Sequence, residues 1–100
     1  MKTEPFGVSA NQITDVPGLD PIRYYLQSTA AGEGRITVAC YGKAWECYFK
    51  AIGNSTPREF LCAVDADYLT GKLSTGKEKK SELAYLGRIV RAVQESLRSF

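Results

Sequence analysis

Hydrophobic and polar residues alternate in two neighbouring stretches in the first half of the chain. From Pro21 to Ser28 every second residue is apolar, and the same period of two continues from Arg35 to Tyr41. Alternation of this kind predicts half-buried β-strands. Because the glycine-containing segment 29–34 separates the two stretches, we expect them to form an antiparallel hairpin.

The segment Lys43–Ile52 fits two different elements. As a strand it would place Trp45 and Phe49 on one side and Tyr48 on the other; as a helix it would place all three in one apolar stripe. A Glu and a Lys four residues apart, and Gly53 directly after the segment, are typical of a helix and its C-terminal end. We therefore predict a helix here and keep the strand as the alternative.

The second half of the chain carries helix signals. Thr56–Glu59 reads as a capping box with proline at the first helical position. Asp65 is expected to cap a further helix that ends at Gly71, and Lys72–Lys80 is a polar loop. Ser81–Phe100 repeats apolar residues at intervals of three and four, which predicts a long C-terminal helix.

These elements predict an α+β fold. Residues 1–20 form an extended N-terminal arm, with a short strand near Ile13–Val16 and turn residues at Asp15–Gly18, and residues 21–100 form a single domain. We expect a small antiparallel sheet of two to three strands with three to four helices on one face. Because an isolated hairpin is only marginally stable, the third strand would come from the arm or from a partner chain.

The chain of 100 residues contains no histidine, and this absence restricts its chemistry. Histidine is the commonest metal ligand and the side chain that most readily transfers protons near neutral pH. Cys40, Cys47 and Cys62 form no CxxC pair and have no histidine to lower their pKa, so we interpret them as reduced structural thiols. We predict no catalytic residue, no metal site and no cofactor.

Two short motifs are interpreted structurally. Gly71–Glu78 nearly matches a phosphate-binding loop, but Glu78 replaces the hydroxyl that the motif needs, and no strand precedes it. We read it as a loop between helices. Asp65 and Asp67 are interpreted as acidic residues at a helix N-terminus and not as a magnesium site.

Positive charge is concentrated towards the C-terminus. The net charge is +2 with a pI near 8.5, below the value of about 9 that is usual for dedicated nucleic-acid-binding domains. The basic residues available for a nucleic acid or an acidic partner are Lys77, Lys79, Lys80, Arg88, Arg91 and Arg98. No secretory signal or membrane-spanning run is apparent, so we expect a cytoplasmic protein that does not enter a membrane.

The outward side of the predicted sheet is the candidate interaction surface. It would carry Arg23, Tyr25, Gln27, Thr37 and Tyr41. Arginine and tyrosine are enriched at binding hot spots and also stack on unpaired bases. The alternative is that the arm or another helix covers this side. For the C-terminal helix we favour packing onto the sheet, with a homodimer through its apolar stripe as the alternative.

Several strings resemble small uncharacterised accessory proteins encoded by bacteriophages and prophages. The strings are Asp20–Arg23, Gly34–Trp45, Arg58–Phe60 and Asp67–Leu69, within a resemblance that covers about residues 12–95. It implies no catalytic residues. It does imply a short phage protein that binds host machinery, including defence complexes.

Taken together, the sequence predicts a non-catalytic phage or prophage protein. We expect it to bind and inhibit or modulate a bacterial host protein, for example in the manner of an anti-CRISPR inhibitor of a defence complex. The alternative is a small nucleic-acid-binding protein that uses the basic C-terminal helix and the tyrosine-bearing sheet face.

Overall fold

The chain folds as four strands followed by three helices. The computed structural model describes residues 1–99, and Phe100, predicted as the last apolar position of the C-terminal helix, lies outside the described residues. The elements are β1 (Ser9–Ile13), β2 (Ile22–Ala30), β3 (Glu33–Cys40), β4 (Lys43–Phe49), α1 (Pro57–Ala63), α2 (Ala66–Leu73) and α3 (Lys80–Arg98). The predicted α+β class, the β2–β3 hairpin and the long C-terminal helix are confirmed.

The strands form one antiparallel sheet in the order β1-β2-β3-β4. Each strand therefore pairs only with its neighbours in sequence, and β1 and β4 lie at the two edges. The short turns Ala31–Gly32 and Tyr41–Gly42 join β2 to β3 and β3 to β4. Tyr41 and Gly42 have φ angles of 51° and 74°. Positive φ at both central residues matches the right-handed twist of a hairpin.

The helix predicted for Lys43–Ile52 is wrong, because this segment contains β4. The turn at Tyr41–Gly42 reverses the chain directly after β3, so β4 completes a backbone ladder that a helix would leave unpaired. Alternation then buries Trp45 and Phe49 and turns Tyr48 outwards. Tertiary pairing overrides a local helical pattern in this way. The sheet consequently has four strands, where two to three were predicted.

Part of the N-terminal arm supplies the edge strand β1. It lies before the predicted position near Ile13–Val16, and Ile13 pairs with Ile22 of β2. The chain then reverses in the predicted turn, where the Leu19 amide donates to the Val16 carbonyl at 3.0 Å. Arg88 Nη2 of α3 donates to the Pro17 carbonyl at 2.9 Å and fixes this turn to the domain.

The helix starts follow the predicted caps. Thr56 and Glu59 form the capping box of α1, with distances of 3.1 and 2.9 Å between the reciprocal partners. Asp65 Oδ1 accepts from the Asp67 amide at 3.1 Å and begins α2. Helix α2 passes the predicted end at Gly71 and continues to Leu73, because the Leu73 side chain is buried in the core.

All three helices cover the same face of the sheet. The buried strand residues are Ile22, Tyr24, Ile36, Val38, Cys40, Trp45 and Phe49. They meet buried helix residues that include Leu61, Leu69, Leu73, Leu86, Ile89, Val90, Val93 and Leu97. The apolar stripe of α3 therefore packs onto the sheet of its own chain, and a homodimer through this helix stays a prediction.

Candidate binding face

The sheet face opposite the helices is not covered by any helix or strand within residues 1–99. The strand register arranges its side chains in cross-strand rows: Gln12, Arg23, Ala39 and Ala44; then Ala10, Tyr25, Thr37 and Glu46; then Gln27, Arg35 and Tyr48. This set of residues is termed the open face. Its tyrosines and arginines point away from the core; Arg23 and Tyr48 are exposed, and Tyr25 and Arg35 are half-buried.

Four of the five predicted face residues lie on the open face. Arg23 is exposed, and Tyr25, Gln27 and Thr37 are half-buried. The placement of Tyr41 on this face is wrong, because the alternation of β3 ends at Cys40 and Tyr41 belongs to the following turn. Its side chain is 77 % exposed at the end of the sheet.

Cross-strand contacts hold the polar residues of the open face. Arg35 Nε lies 3.3 Å from Glu46 Oε1, and Thr37 Oγ1 donates to Glu46 Oε2 at 2.8 Å. Arg23 Nε donates to Gln12 Oε1 at 2.9 Å. Exposed pairs of this kind add little stability. Their consequence is preorganisation, which reduces the entropy that side chains lose on binding.

Tyr48 is the most tightly held aromatic residue of the open face. Arg35 Cζ and Lys50 Nζ lie 5.6 and 5.7 Å from the centre of its ring. Its hydroxyl donates to Glu33 Oε2 at 2.7 Å, and this hydrogen bond raises the pKa of Tyr48 above its ordinary value. A ring held by a hydrogen bond and by two nearby cations offers contact area at low entropic cost.

A groove crosses the open face beside the N-terminal arm. Its volume is about 240 Å³, and it is lined by Phe6, Val8, Tyr25, Gln27, Arg35, Thr37 and Glu46. The arm covers this part of the face only partly, since Phe6 is 72 % exposed and Val8 is 49 % exposed. The arm thus contributes apolar side chains to the same surface as the arginines and tyrosines.

Sequence reasoning missed several residues of this surface. Because β4 was predicted as a helix, Glu46 and Tyr48 were not assigned to the open face. The strand alternative would have placed both on the side of the strand opposite to Trp45. Arg35 lies two residues before Thr37 in β3, on the same side of the strand, so the alternation alone could have placed it on the open face. Nothing in the sequence pattern indicated that Phe6 lies beside the sheet.

The basic residues of the C-terminal region do not form one surface with the open face. Lys77, Lys79 and Lys80 are exposed at the start of α3. Arg91 pairs with Asp67 at 3.5 Å, and Arg98 Nη2 donates to the Cys62 carbonyl at 2.8 Å. These arginines and Arg88 lie along α3 and fasten it to neighbouring segments of the domain.

The loop that resembles a phosphate-binding motif is closed around its own carboxylate. Glu78 accepts from the Thr75 amide at 2.9 and 2.8 Å, from Thr75 Oγ1 at 2.8 and 2.9 Å, and from Ser74 Oγ at 3.1 Å. The hydrogen bond from the Thr75 amide is the main reason that the pKa of Glu78 falls to about 2. The donors of Ser74 and Thr75 are therefore already bonded to the Glu78 carboxylate, whose negative charge would repel a phosphate.

The thiols lie in protected surroundings. Cys40 is buried, with Sγ 3.5 Å from Tyr85 Oη, and this contact raises the pKa of Tyr85 to about 12. Burial raises the pKa of the half-buried Cys47. Over residues 1–99, no cluster of three or more His, Cys, Asp or Glu side chains is placed to hold a metal ion. None of the helices in the described part of the chain is long and apolar enough to cross a membrane.

The fold defines a small α+β domain in which helices cover one face of a four-stranded meander and leave the other face open. Residues 1–83 match the model of the phage family Phage_phiTE_072, described as Phage family, and the chain belongs to this family. No curated protein and no solved structure matched the chain. The family match confirms the resemblance to phage proteins.

Proposed function

We propose that this phage protein is a non-catalytic binding protein that inhibits or modulates a bacterial host protein through the open face. The observation that carries the proposal is a sheet face that no helix or strand within residues 1–99 covers, on which Arg23, Arg35, Tyr25 and Tyr48 are presented together. Arginine and tyrosine are the residue types that contribute most at protein interfaces. A bacterial defence complex, as for an anti-CRISPR-type inhibitor in the host cytoplasm, is the class of partner we favour.

The surroundings of the reactive groups support a role without catalysis. A nucleophilic cysteine needs a lowered pKa, whereas burial raises the pKa of Cys47. The hydrogen bond with Cys40 raises the pKa of Tyr85 from 10 to about 12, which makes deprotonation of its hydroxyl less favourable than in an ordinary tyrosine. These groups are suited to packing and hydrogen bonding.

Affinity capture from a bacterial lysate tests the proposal. Nuclease-treated lysate is passed over the wild-type chain and over Arg23→Glu and Tyr25→Ala variants. Tyr68→Ala is the matched control, because Tyr68 is 50 % exposed on α2 and lies outside the open face. We expect a host protein to be retained by the wild type and the control and lost with both open-face variants. Retention that is unchanged in both variants would contradict the proposal.

Nucleic-acid binding is the second candidate, and the exposed side of α3 is the observation that favours it. Lys80, Arg91 and Arg98 lie within about 20° of one another around the helix axis at 3.6 residues per turn. Binding to phosphates would weaken steeply with salt because counterions are released. A gel-shift series that shows no complex with single- or double-stranded probes at about 50 mM salt would reject this candidate.

A further inference from the structure

Strand β4 is an edge of the sheet with unpaired backbone groups. The hairpin closes at the pair Cys40–Lys43, so Lys43 and every second residue after it direct their N–H and C=O groups towards β3. The N–H and C=O groups of Ala44, Glu46 and Tyr48 consequently point away from the sheet. No hydrogen bond from any other part of residues 1–99 reaches these backbone groups. They present a ladder for one more strand.

Several of the usual protections of a sheet edge are absent from β4, although it carries the charged side chains of Lys43 and Glu46. Edge strands are commonly short, interrupted by proline or a bulge, or covered by another segment. Strand β4 has 7 residues, contains no proline and pairs with β3 without a register shift. The opposite edge, β1, has only 5 residues. We propose that a second copy of this chain pairs antiparallel with β4 and joins the two sheets at this edge.

Charge selects the register of this pairing. A two-fold axis at Glu46 would set two carboxylates directly opposite each other, which is destabilising. An axis at Cys47 instead places Glu46 opposite Tyr48 of the second copy. In the second copy the Arg35 and Lys50 cations lie 5.6 and 5.7 Å from the centre of the Tyr48 ring, and the Glu33 carboxylate accepts from its hydroxyl. Glu46 therefore meets an aromatic ring with two cations and one carboxylate beside it, instead of a second carboxylate directly opposite. The same contact is repeated on the other side of the axis, as an isologous interface requires.

The helix side of β4 offers an apolar contact for the same pairing. Helix α2 packs on β4, and it exposes Tyr68, which is 50 % accessible and has Lys72 Nζ 5.7 Å from its ring centre. Joining the two β4 strands brings the two α2 helices towards each other and covers this aromatic residue. Because one strand pair and one helix flank make a small interface, we expect a dimer that dissociates on dilution.

Sedimentation at increasing protein concentration is the first test. We expect the wild type to change from monomer to dimer between about 10 μM and 1 mM, the range of weak complexes. Glu46→Pro removes the outward N–H of β4 that the proposed register pairs with Tyr48 of the second copy and should abolish the dimer, since proline is tolerated at an edge where the N–H faces solvent. Ala10→Pro is the matched control, because Ala10 occupies the corresponding outward position on β1. Circular dichroism establishes that both variants are folded.

Cross-linking with the native cysteines is the second test and needs no proline. In the proposed register Cys47 faces Cys47 of the second copy as a non-hydrogen-bonded pair, with Cα atoms about 4.5 Å apart, which suits a disulfide. Diamide takes two electrons and two protons from the two thiols and should produce a covalent dimer. Cys47→Ser should prevent this product, whereas Cys62→Ser should not.

Three results would overturn the proposal. They are a monomer at every concentration up to about 1 mM, a dimer that persists in Glu46→Pro and is lost in Ala10→Pro, and a covalent dimer that forms through Cys62 instead of Cys47. None of these readouts depends on a host protein, so the dimer and the proposed function can fail independently.

Discussion

Replacement of Gln94 by leucine tests how the helices are joined above the sheet. Gln94 is 2 % exposed, and its Nε2 donates to the Leu61 carbonyl at 3.0 Å and to the Val64 carbonyl at 2.9 Å. These carbonyls belong to the C-terminal end of α1, where backbone acceptors have no partner within the helix. Gln94 therefore supplies the hydrogen bonds that allow α1 to end inside the domain.

The expected loss can be estimated from the two hydrogen bonds. Each contributes about 1 kcal/mol net, and a buried acceptor that is left unpaired costs about 1–3 kcal/mol. Leucine has a similar volume, so no large cavity forms and the loss of hydrogen bonding dominates. We expect Gln94→Leu to lower the free energy of unfolding by about 2 kcal/mol, which lowers Tm by roughly 8–16 °C for a domain of this size.

Thermal and urea unfolding followed by circular dichroism measure this loss. Glu95→Leu is the matched control, because it introduces leucine at the next, exposed position of α3 and should change the free energy by less than about 0.5 kcal/mol. A Tm of Gln94→Leu within about 2 °C of the wild type would refute the argument. It would mean that the Leu61 and Val64 carbonyls can lose their hydrogen bonds from Gln94 without a change in the free energy of unfolding.

Three other changes test separate parts of the structure. In Gly34→Ala the new Cβ would lie 2.7 Å from Phe49 Cε2 and 2.9 Å from Pro57 Cγ, so we expect the free energy of unfolding, measured in urea, to fall by about 1–3 kcal/mol. Gly71→Ala is the control: its new Cβ meets nothing within 4 Å, and the substitution should stabilise α2 by up to about 1 kcal/mol. Tyr41→Asn should raise Tm, because Tyr41 holds a φ of 51° that asparagine adopts more readily. The pKa of Glu78 falls from 4.5 to about 2 on folding, so the ionised carboxylate stabilises the fold fully above pH 4.5 and this stabilisation is lost as the pH falls towards 2. Between pH 4.5 and 2 the Tm of Glu78→Gln should therefore fall less steeply than the Tm of the wild type.

Each of these three predictions can fail in a defined way. Equal stability of Gly34→Ala and Gly71→Ala would show that the close approach at Gly34 has no energetic cost. A lower Tm in Tyr41→Asn would show that the tyrosine side chain stabilises the turn by more than its backbone strain. Glu59 and Glu82 also have lowered pKa values, so some acid sensitivity persists in Glu78→Gln. An unchanged slope in this variant would contradict the role given to Glu78.

Local signals were sufficient for the parts of the fold that depend on neighbouring residues. The capping box at Thr56 and Glu59 and the cap at Asp65 are satisfied by atoms within one helical turn, so the sequence predicted both helix starts. The β2–β3 hairpin joins two strands that are adjacent in sequence, and the apolar residues of α3 repeat at regular intervals, so both were also predictable. In β4 the same residues satisfied a helical and a strand pattern, and only the ladder with β3 decided between them.

The open face could be predicted only in part, for the same physical reason. Arg23, Tyr25, Gln27 and Thr37 follow from the alternation of strands that the sequence identified. Tyr48 and Glu46 reach the open face through the pairing of β4 with β3. The position of Phe6 beside the sheet depends on the path of the arm, which no local pattern specifies.

Photo-cross-linking inside bacterial host cells tests the use of the open face most directly. Benzoylphenylalanine is introduced at Gln27 on the open face or at the exposed Glu95 on α3, and the adducts are identified by mass spectrometry. The account predicts a covalent adduct with a host protein from position 27 and none from position 95. Adducts that form only from position 95, or only with nucleic acid, would contradict it.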